Sequence, residues 1–309
     1  MRMKLTKLRL ITYSVGLTLG GLASSGLAVN FSDWSAPVNA EIFSGNNGAP
    51  NSPQGDGCPT LDPHTNDLYI ASNRSGGFGG QDIWIANWNG KGWDEPVNAG
   101  PTINSSADDF CPTPARGNRL YFVTKRQDPN GDIYVAKRLP GQDFSDVERL
   151  PVPINSTAEE WSPSVFEDEQ GNEVLYFSST RGGGQDIYES VNYGPPVKVS
   201  ALSTTFSDAR PNVRHDGLEI VFDSNRPGGK GLSDVWTASR SSTSANWSEP
   251  QPITQINSPA GESRASFSWD GTMLMFGSGR SGGEGASDIY VSLRSKRTGP
   301  KTVEFPRAH

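Results

Sequence analysis

Short apolar segments recur along the chain at intervals of about 50 residues. They are apolar on successive positions rather than on alternate ones, which predicts strands that are buried on both faces. A turn signal precedes them, as in Asp216-Gly217 and Asp270-Gly271. The five segments cover residues 68–71, 120–123, 174–177, 218–222 and 273–276.

A second strand pattern, an Asp followed by Ile or Val and an aromatic residue, comes after each apolar segment. Its Asp residues are Asp82, Asp132, Asp186, Asp234 and Asp288, at spacings of 50, 54, 48 and 54 residues. A polar or Gly-rich loop precedes each Asp and begins with Arg74, Arg126, Arg181, Arg226 or Arg280. Because every unit repeats this Arg and this Asp, we expect them to hold the loop in shape rather than to carry chemistry.

A Pro-containing strand such as Trp93–Val97 completes the unit, and Pro favours an edge position because it cannot donate to the ladder. Four strands in about 50 residues are typical of a β-propeller blade. The segment Trp34–Glu41 has the outer-strand pattern, whereas the last unit lacks it. We therefore predict an all-β, five-bladed propeller of four-stranded antiparallel blades, in which this N-terminal segment pairs with Asp288–Leu293. A sixth blade has no room, and a β-sandwich would not show a fivefold period.

The Ser-x-Arg-x-Gly-Gly and Asp-Ile-Tyr pattern resembles the WD40-like repeats of the TolB type, over residues from about 32 to 297. The resemblance implies a periplasmic or envelope-associated propeller. Many members of that family are interaction scaffolds, and others are fused to, or have become, hydrolases and lyases. Fold alone does not select among these functions.

Residues 1–28 have the pattern of a signal peptide. A basic start is followed by an apolar run from Ile11 to Ala23 and by small residues before a cleavage site after Ala28. We expect a periplasmic or secreted protein with a propeller at 29–297, a C-terminal tail at 298–309 and no membrane span after cleavage. Removal of four basic residues takes the formal charge from −7 to −11, which argues against nucleic acid as a partner. We expect a monomer.

A carboxylate precedes each predicted inner strand: Asp56, Asp109, Glu160, Asp208 and Glu262. These five side chains are predicted to form a ring near one mouth of the central channel. The ring would bind a ligand or hold Ca²⁺, with Asp109, Glu160, Asp208 and Glu262 as the catalytic candidates of an enzyme. The alternative is that each carboxylate caps its own turn.

The two positions after each carboxylate break the fivefold symmetry. They include Trp161, Arg210 and Arg264, which would form an aromatic platform with two guanidinium groups for a sugar acid or another carboxylate ligand. The alternative is packing between blades for Trp161 and pairing with the carboxylates for the arginines.

Cys58 and Cys111 occupy equivalent positions in consecutive units. Equivalent side chains point the same way round the ring, so the expected Cα separation favours two buried thiols over a disulfide. His64 and His215 fall in turns at the opposite end from the carboxylates, which argues against a His-based triad or a zinc site at that mouth.

These observations favour an exported binding or interaction scaffold whose partner is an envelope protein or a glycan. The alternative is a carbohydrate-active hydrolase or lyase with its site at the mouth of the channel.

Overall fold

The computed structural model describes residues 30–45, 50–139 and 143–297. The predicted signal peptide and C-terminal tail lie outside the described residues. Nowhere in these three ranges does a helix have the length and apolar character needed to cross a membrane.

The described chain forms five four-stranded antiparallel sheets, which confirms the predicted propeller architecture. It begins with β1 (Asn30–Phe31), β2 (Val38–Asn39) and the short helix α1 (Ala40–Phe43).

Blade 1 comprises β3 (Asp56–Leu61), β4 (Leu68–Ser72), β5 (Asp82–Ala86) and β6 (Val97–Asn98). Blade 2 comprises β7 (Asp109–Ala115), β8 (Arg119–Thr124), β9 (Asp132–Lys137) and β10 (Ser145–Arg149). Blade 3 comprises β11 (Glu160–Glu167), β12 (Glu173–Ser179), β13 (Asp186–Val191) and β14 (Val197–Lys198).

The last two blades repeat the order, from an inner first strand to an outer fourth strand. Blade 4 comprises β15 (Asp208–Val213), β16 (Glu219–Ser224), β17 (Asp234–Ser239) and β18 (Gln251–Pro252). Blade 5 comprises β19 (Glu262–Phe267), β20 (Met273–Ser278), β21 (Asp288–Leu293) and, from the beginning of the chain, β2. The chain then reaches β22 (Lys296–Arg297), which pairs with β1.

The ring is closed by the N-terminal segment, as the sequence predicts. In β2, Val38 lies opposite Val291 and Asn39 opposite Tyr290, both in β21. The backbone N–H of Ser35 donates to the carbonyl of Leu293 at 2.8 Å and extends the contact. This pairing covers the open edge that blade 5 would otherwise present.

The second strand of each blade is buried along almost its whole length, because each blade is packed between two neighbours. Each apolar cluster spans two or three adjacent blades. In one of them, Tyr69 and Ile83 of blade 1 pack with Phe122 and Tyr134 of blade 2. The core is therefore a set of interblade layers around a narrow axis.

Every inner strand contains a bulge at its third residue, where the backbone takes a positive φ. The five φ values are 47° at Cys58, 49° at Cys111, 53° at Ser162, 54° at Arg210 and 58° at Arg264. A non-glycine residue adopts this left-handed conformation only where its surroundings enforce it. The repeated bulge places all five of these residues in the lining of the central channel.

Contacts between inner strands connect the blades around the channel. Blades 1 and 2 are joined by a disulfide between Cys58 and Cys111. The other junctions include hydrogen bonds from Thr113 Oγ1 to Pro163 O, Val213 N to Ser164 Oγ, Phe267 N to Asn212 Oδ1 and Ser266 Oγ to Pro59 O. The expectation of two free thiols is therefore wrong. The bulges bring the two Cα atoms to 4.8 Å, within the range that a disulfide spans.

Candidate functional site

The five predicted ring carboxylates begin the inner strands, but their side chains are fully buried within their own blades. Asp208 illustrates the arrangement. It accepts hydrogen bonds from the backbone N–H and hydroxyl of Thr204, at 2.6 and 2.7 Å, and from the hydroxyl of Ser224 at 2.6 Å. Arg226 Nη2 lies 2.5 Å from the same carboxylate. The hydrogen-bond acceptor sites of the Asp208 carboxylate are therefore occupied by partners within its own blade.

The same ion pair occurs in each blade. It joins the carboxylate to the arginine at the start of the loop between the second and third strands. The pairs are Arg74–Asp56, Arg126–Asp109, Arg181–Glu160, Arg226–Asp208 and Arg280–Glu262. The structure therefore agrees with the alternative prediction for the repeated carboxylates, in which each one stabilises its own turn. An open ring available to a ligand or a catalytic reaction is not formed, because each side chain is enclosed by its arginine and hydroxyl partners.

The repeated Asp of the third strand has a different role from the arginine. Asp234, for example, accepts the backbone N–H groups of Lys230 and Gly231 at 2.9 and 3.1 Å and so fixes the Gly-rich loop before it. The loop arginine reaches across to the inner-strand carboxylate instead. Both repeated residues are structural, as expected, although they do not pair with one another.

The central channel is a narrow cavity of about 30 Å³ that is lined by all five inner strands. The channel-facing bulge residues include two cations, Arg210 and Arg264, from blades 4 and 5. Asp223 is their anionic neighbour. It accepts a hydrogen bond from Arg210 Nη1 at 3.1 Å and from the backbone N–H of Arg264 at 2.8 Å. Burial raises the pKa of Asp223 to about 6, and burial together with Arg210 lowers the pKa of Arg264 to about 10.

Trp161 does not join these arginines, because it precedes the bulge position instead of occupying it. Its ring packs edge-on against Phe110 at 5.4 Å, and its Nε1 donates to the carbonyl of Asn130 at 2.7 Å. Lys125 Nζ lies 5.6 Å from the ring centroid. The predicted platform of Trp161 with two guanidinium groups is therefore not assembled, and Trp161 packs between blades 2 and 3.

The described residues contain no group of three or more His, Cys, Asp or Glu side chains that could hold a metal ion. The five carboxylates that were considered for Ca²⁺ are each separately paired with an arginine. They therefore offer no shared set of oxygen ligands.

The larger cavities lie at the other end of the propeller, where the turns join the first and second strands of the blades. A cavity of about 410 Å³ is lined by residues of blades 2 to 5, and an adjoining one of about 480 Å³ lies between blades 1 and 2. Pro114, Ala115 and Arg119 line both. A volume of this size is typical of a small-molecule site. We call these two cavities together the turn-end groove.

An aromatic platform lies where the turn-end groove meets the channel. The rings of His215 and Trp269 stack with centroids 4.5 Å apart and planes at 28°. The guanidinium of Arg116 lies 4.8 Å from the Trp269 ring centroid. Burial lowers the pKa of His215, so its imidazole is neutral at neutral pH. Trp269 remains 38% exposed, so part of its ring is open to a ligand beside these polar groups.

A charged network borders the same groove. Arg119 pairs with Glu173, which also accepts a hydrogen bond from Tyr121 at 2.8 Å. Burial works to raise the pKa of Glu173, but hydrogen bonds from Arg119, Tyr193 and Tyr121 hold it below its ordinary value. This carboxylate is therefore ionised at neutral pH. Glu167, which is exposed, lines the groove nearby.

Sequence reasoning missed this platform because it considered only the carboxylate end of the channel. Arg116, His215 and Trp269 belong to three different blades and come together only at the axis. One signal was available: Trp269 precedes Asp270-Gly271 in a turn where a large exposed aromatic side chain has no role in the core.

No protein-family model and no curated protein matches the chain. The WD40-like family assignment is thus not confirmed, although the fold is shared with solved structures. An α-L-arabinofuranosidase from Lactobacillus brevis is 17% identical, with 83% of this chain and 94% of that one covered and a TM-score of 0.56. An endo-arabinase from Bacteroides thetaiotaomicron is 15% identical, with 87% and 99% covered and a TM-score of 0.56. A protein described as TolB from Agrobacterium tumefaciens is 17% identical, with 81% and 78% covered and a TM-score of 0.45.

Proposed function

We propose that the protein binds carbohydrate in the turn-end groove, with Trp269, His215 and Arg116 as the main contact surface. The stacked pair at the mouth of the channel is the observation that carries this proposal. One face of a sugar ring presents C–H groups, which pack well on an exposed aromatic ring, while its hydroxyls need polar partners at the edge. The platform offers a partly exposed aromatic ring in contact with a guanidinium group.

The groove also has the size and polarity that an oligosaccharide requires. Its two cavities of about 410 and 480 Å³ adjoin at Arg119, so more than one sugar unit fits along it. Two solved structures of the same fold, described as an α-L-arabinofuranosidase and an endo-arabinase, support a propeller of this kind as a carbohydrate scaffold. At 15 to 17% identity that support concerns the fold alone.

Hydrolysis is the second candidate, favoured by the presence of two carboxylates, Glu167 and Glu173, in the wall of one cavity. A glycosidase needs an acid and a second carboxylate on either side of the scissile bond. Glu173 is held ionised by Arg119, which suits a base or nucleophile and not an acid. The buried Asp109, Glu160, Asp208 and Glu262 cannot reach a substrate and are not part of this proposal.

The proposed place of action is the periplasm or the exterior of the cell. The signal-peptide pattern at residues 1–28 supports it, and so does the disulfide between Cys58 and Cys111, since disulfides persist in oxidising compartments.

Replacement of Trp269 by alanine is expected to weaken glycan binding at least tenfold, which corresponds to about 1.4 kcal/mol. The substitution removes the exposed part of the aromatic ring and leaves the groove open. The measurement is retention of the purified mature protein on an array of neutral and acidic oligosaccharides and polysaccharides, with released sugar products read from the same wells.

Phe78→Ala is the matched control, because Phe78 is also an exposed aromatic residue, 50% accessible, but lies in a Gly-rich loop at the opposite end. Equal retention by the Trp269 variant and the wild-type protein would refute the proposed platform. Release of products that stops in Glu167→Gln would assign hydrolysis to the groove. Retention by no glycan, with capture of an envelope protein, would favour the interaction scaffold.

A further inference from the structure

The side chain of Arg264 enters the central channel without an anionic partner. Within the described residues, its guanidinium group donates no hydrogen bond and joins no ion pair, and its Nε is fully buried. Nη1 lies close to the inner strand of blade 1, 3.1 Å from the position that a Cβ on Gly57 would occupy. A guanidinium has five N–H donors, and leaving them unpaired away from water is costly.

The single carboxylate nearby does not compensate both arginines. The carboxylate of Asp223 forms an ion pair with the guanidinium group of Arg210, at 3.1 Å. It meets Arg264 only at the backbone N–H, at 2.8 and 3.0 Å. Two guanidinium groups thus face one carboxylate, and the site carries a formal charge of +1.

This positive charge is unpaired and partly buried. Burial and the neighbouring Arg210 both act against the charged form of Arg264 and lower its pKa to about 10. The side chain nevertheless remains a cation at neutral pH. An unpaired charge that is removed from water destabilises a fold unless a counter-charge accompanies it.

The cavity beside Arg264 has room for a counter-ion. Its volume is about 30 Å³, against the 10–15 Å³ or so that a single water-sized occupant requires. Thr60, Thr113 and Ser162 add hydroxyl groups to its wall, and among its described lining residues there is no Asp or Glu. The lining is therefore cationic, and the cavity is too small for a sugar ring.

We propose that the channel binds one small monovalent anion of the halide class, held between the guanidinium groups of Arg264 and Arg210. The ion supplies the missing counter-charge and accepts the N–H groups that the protein leaves unpaired. By linking blades 4 and 5 on the axis, it stabilises the closed ring. The site does not depend on carbohydrate binding, which uses different residues at the end of the channel.

An entry route is present at the turn end. A cavity of about 50 Å³ at the mouth shares Thr60, Thr113 and Asn212 with the wall of the channel cavity. The same mouth cavity is lined by His215 and Trp269 of the platform. A halide can thus exchange with solvent through the opening beside the turn-end groove.

The experiment is a thermal melting titration of the full mature protein with sodium bromide. Sodium gluconate, whose anion exceeds the cavity, holds the ionic strength constant. The melting temperature is expected to rise in a saturable way, by about 3–5 °C at roughly ten times the dissociation constant. In Arg264→Met the rise should disappear. In Arg116→Met, which removes a cation outside the channel, it should persist.

A second measurement covers the case in which Arg264→Met does not fold. Crystals of the wild-type protein soaked in bromide should show an anomalous scattering peak beside Arg264 in the channel. A melting temperature that responds equally to bromide and gluconate would overturn the proposal, and so would bromide-soaked crystals with only water in the channel. Loss of glycan binding in the Trp269 variant leaves either result unchanged, so the two proposals fail separately.

Discussion

Replacing Asp208 by alanine is expected to lower the free energy of unfolding by about 3–5 kcal/mol. The side chain is completely buried, and its removal leaves Arg226 without its carboxylate and Thr204 and Ser224 without their acceptor. Breaking one partner of a buried pair costs more than the pair contributes, because the remaining charge stays uncompensated. The measurement is urea unfolding at neutral pH, followed by Trp fluorescence.

The matched control is Asp146→Ala, whose ion pair with Lys137 is exposed on both sides, at 56% and 59%. Its expected cost is at most about 1 kcal/mol. A second variant, Asp208→Ala with Arg226→Met, should recover part of the loss because it removes the stranded cation. If Asp208→Ala and Asp146→Ala unfold at the same urea concentration, the carboxylates do not have the structural role assigned to them.

Loss of the disulfide is expected to have an effect of similar size. Cys58 and Cys111 are 53 residues apart in sequence, and closing a loop of that length restricts the unfolded chain by about 4 kcal/mol. The double variant Cys58→Ala, Cys111→Ala should therefore unfold at a clearly lower urea concentration than the oxidised wild-type protein. A reducing agent should bring the wild-type protein close to the variant and leave the variant itself unchanged.

A titration of free thiols in denaturant completes this test. Oxidised wild-type protein is expected to show no reactive thiol before reduction and two after it. Two reactive thiols before reduction, together with a stability that reductant does not alter, would contradict the covalent junction between blades 1 and 2.

The number of blades and their closure followed from sequence because both depend on periodic, local patterns. The spacing of Asp82, Asp132, Asp186, Asp234 and Asp288 fixes five units. The outer-strand pattern around Trp34, without three preceding strands, indicates that the chain returns to complete the last blade. The repetition is visible in a single sequence because every blade packs between two neighbours and needs the same pattern of residues.

The side-chain environment was harder to predict because it depends on geometry between blades. The sequence places Asp208 at the channel end of an inner strand, but gives no sign that Arg226, 18 residues later, encloses it. The bulge repeated in every inner strand changes which residues face the axis, and so it joins Cys58 to Cys111 and separates Trp161 from Arg264. A residue with a left-handed backbone before a proline has no clear sequence signature. The predictions of two thiols and of a platform containing Trp161 were wrong for this reason.

The aromatic platform of His215, Trp269 and Arg116 was even harder to predict, because it depends entirely on contacts between blades. Trp269 and His215 occupy turns that are 54 residues apart, and Arg116 lies in a third turn. His215 and Trp269 each precede an Asp-Gly turn, but no sequence pattern shows that they meet, since their proximity arises only from the circular arrangement of the blades.

The pairing of β1 with β22 determines how the molecule would respond to mechanical force. Asn30 lies opposite Arg297 and Phe31 opposite Lys296, so the chain enters and leaves the described fold at the same point. Tension applied to the two ends would load these hydrogen bonds one after another, as in a zipper, instead of all together in shear. Single-molecule pulling should first release the N-terminal strands from blade 5 at low force, while the disulfide keeps Cys58 and Cys111 joined throughout unfolding.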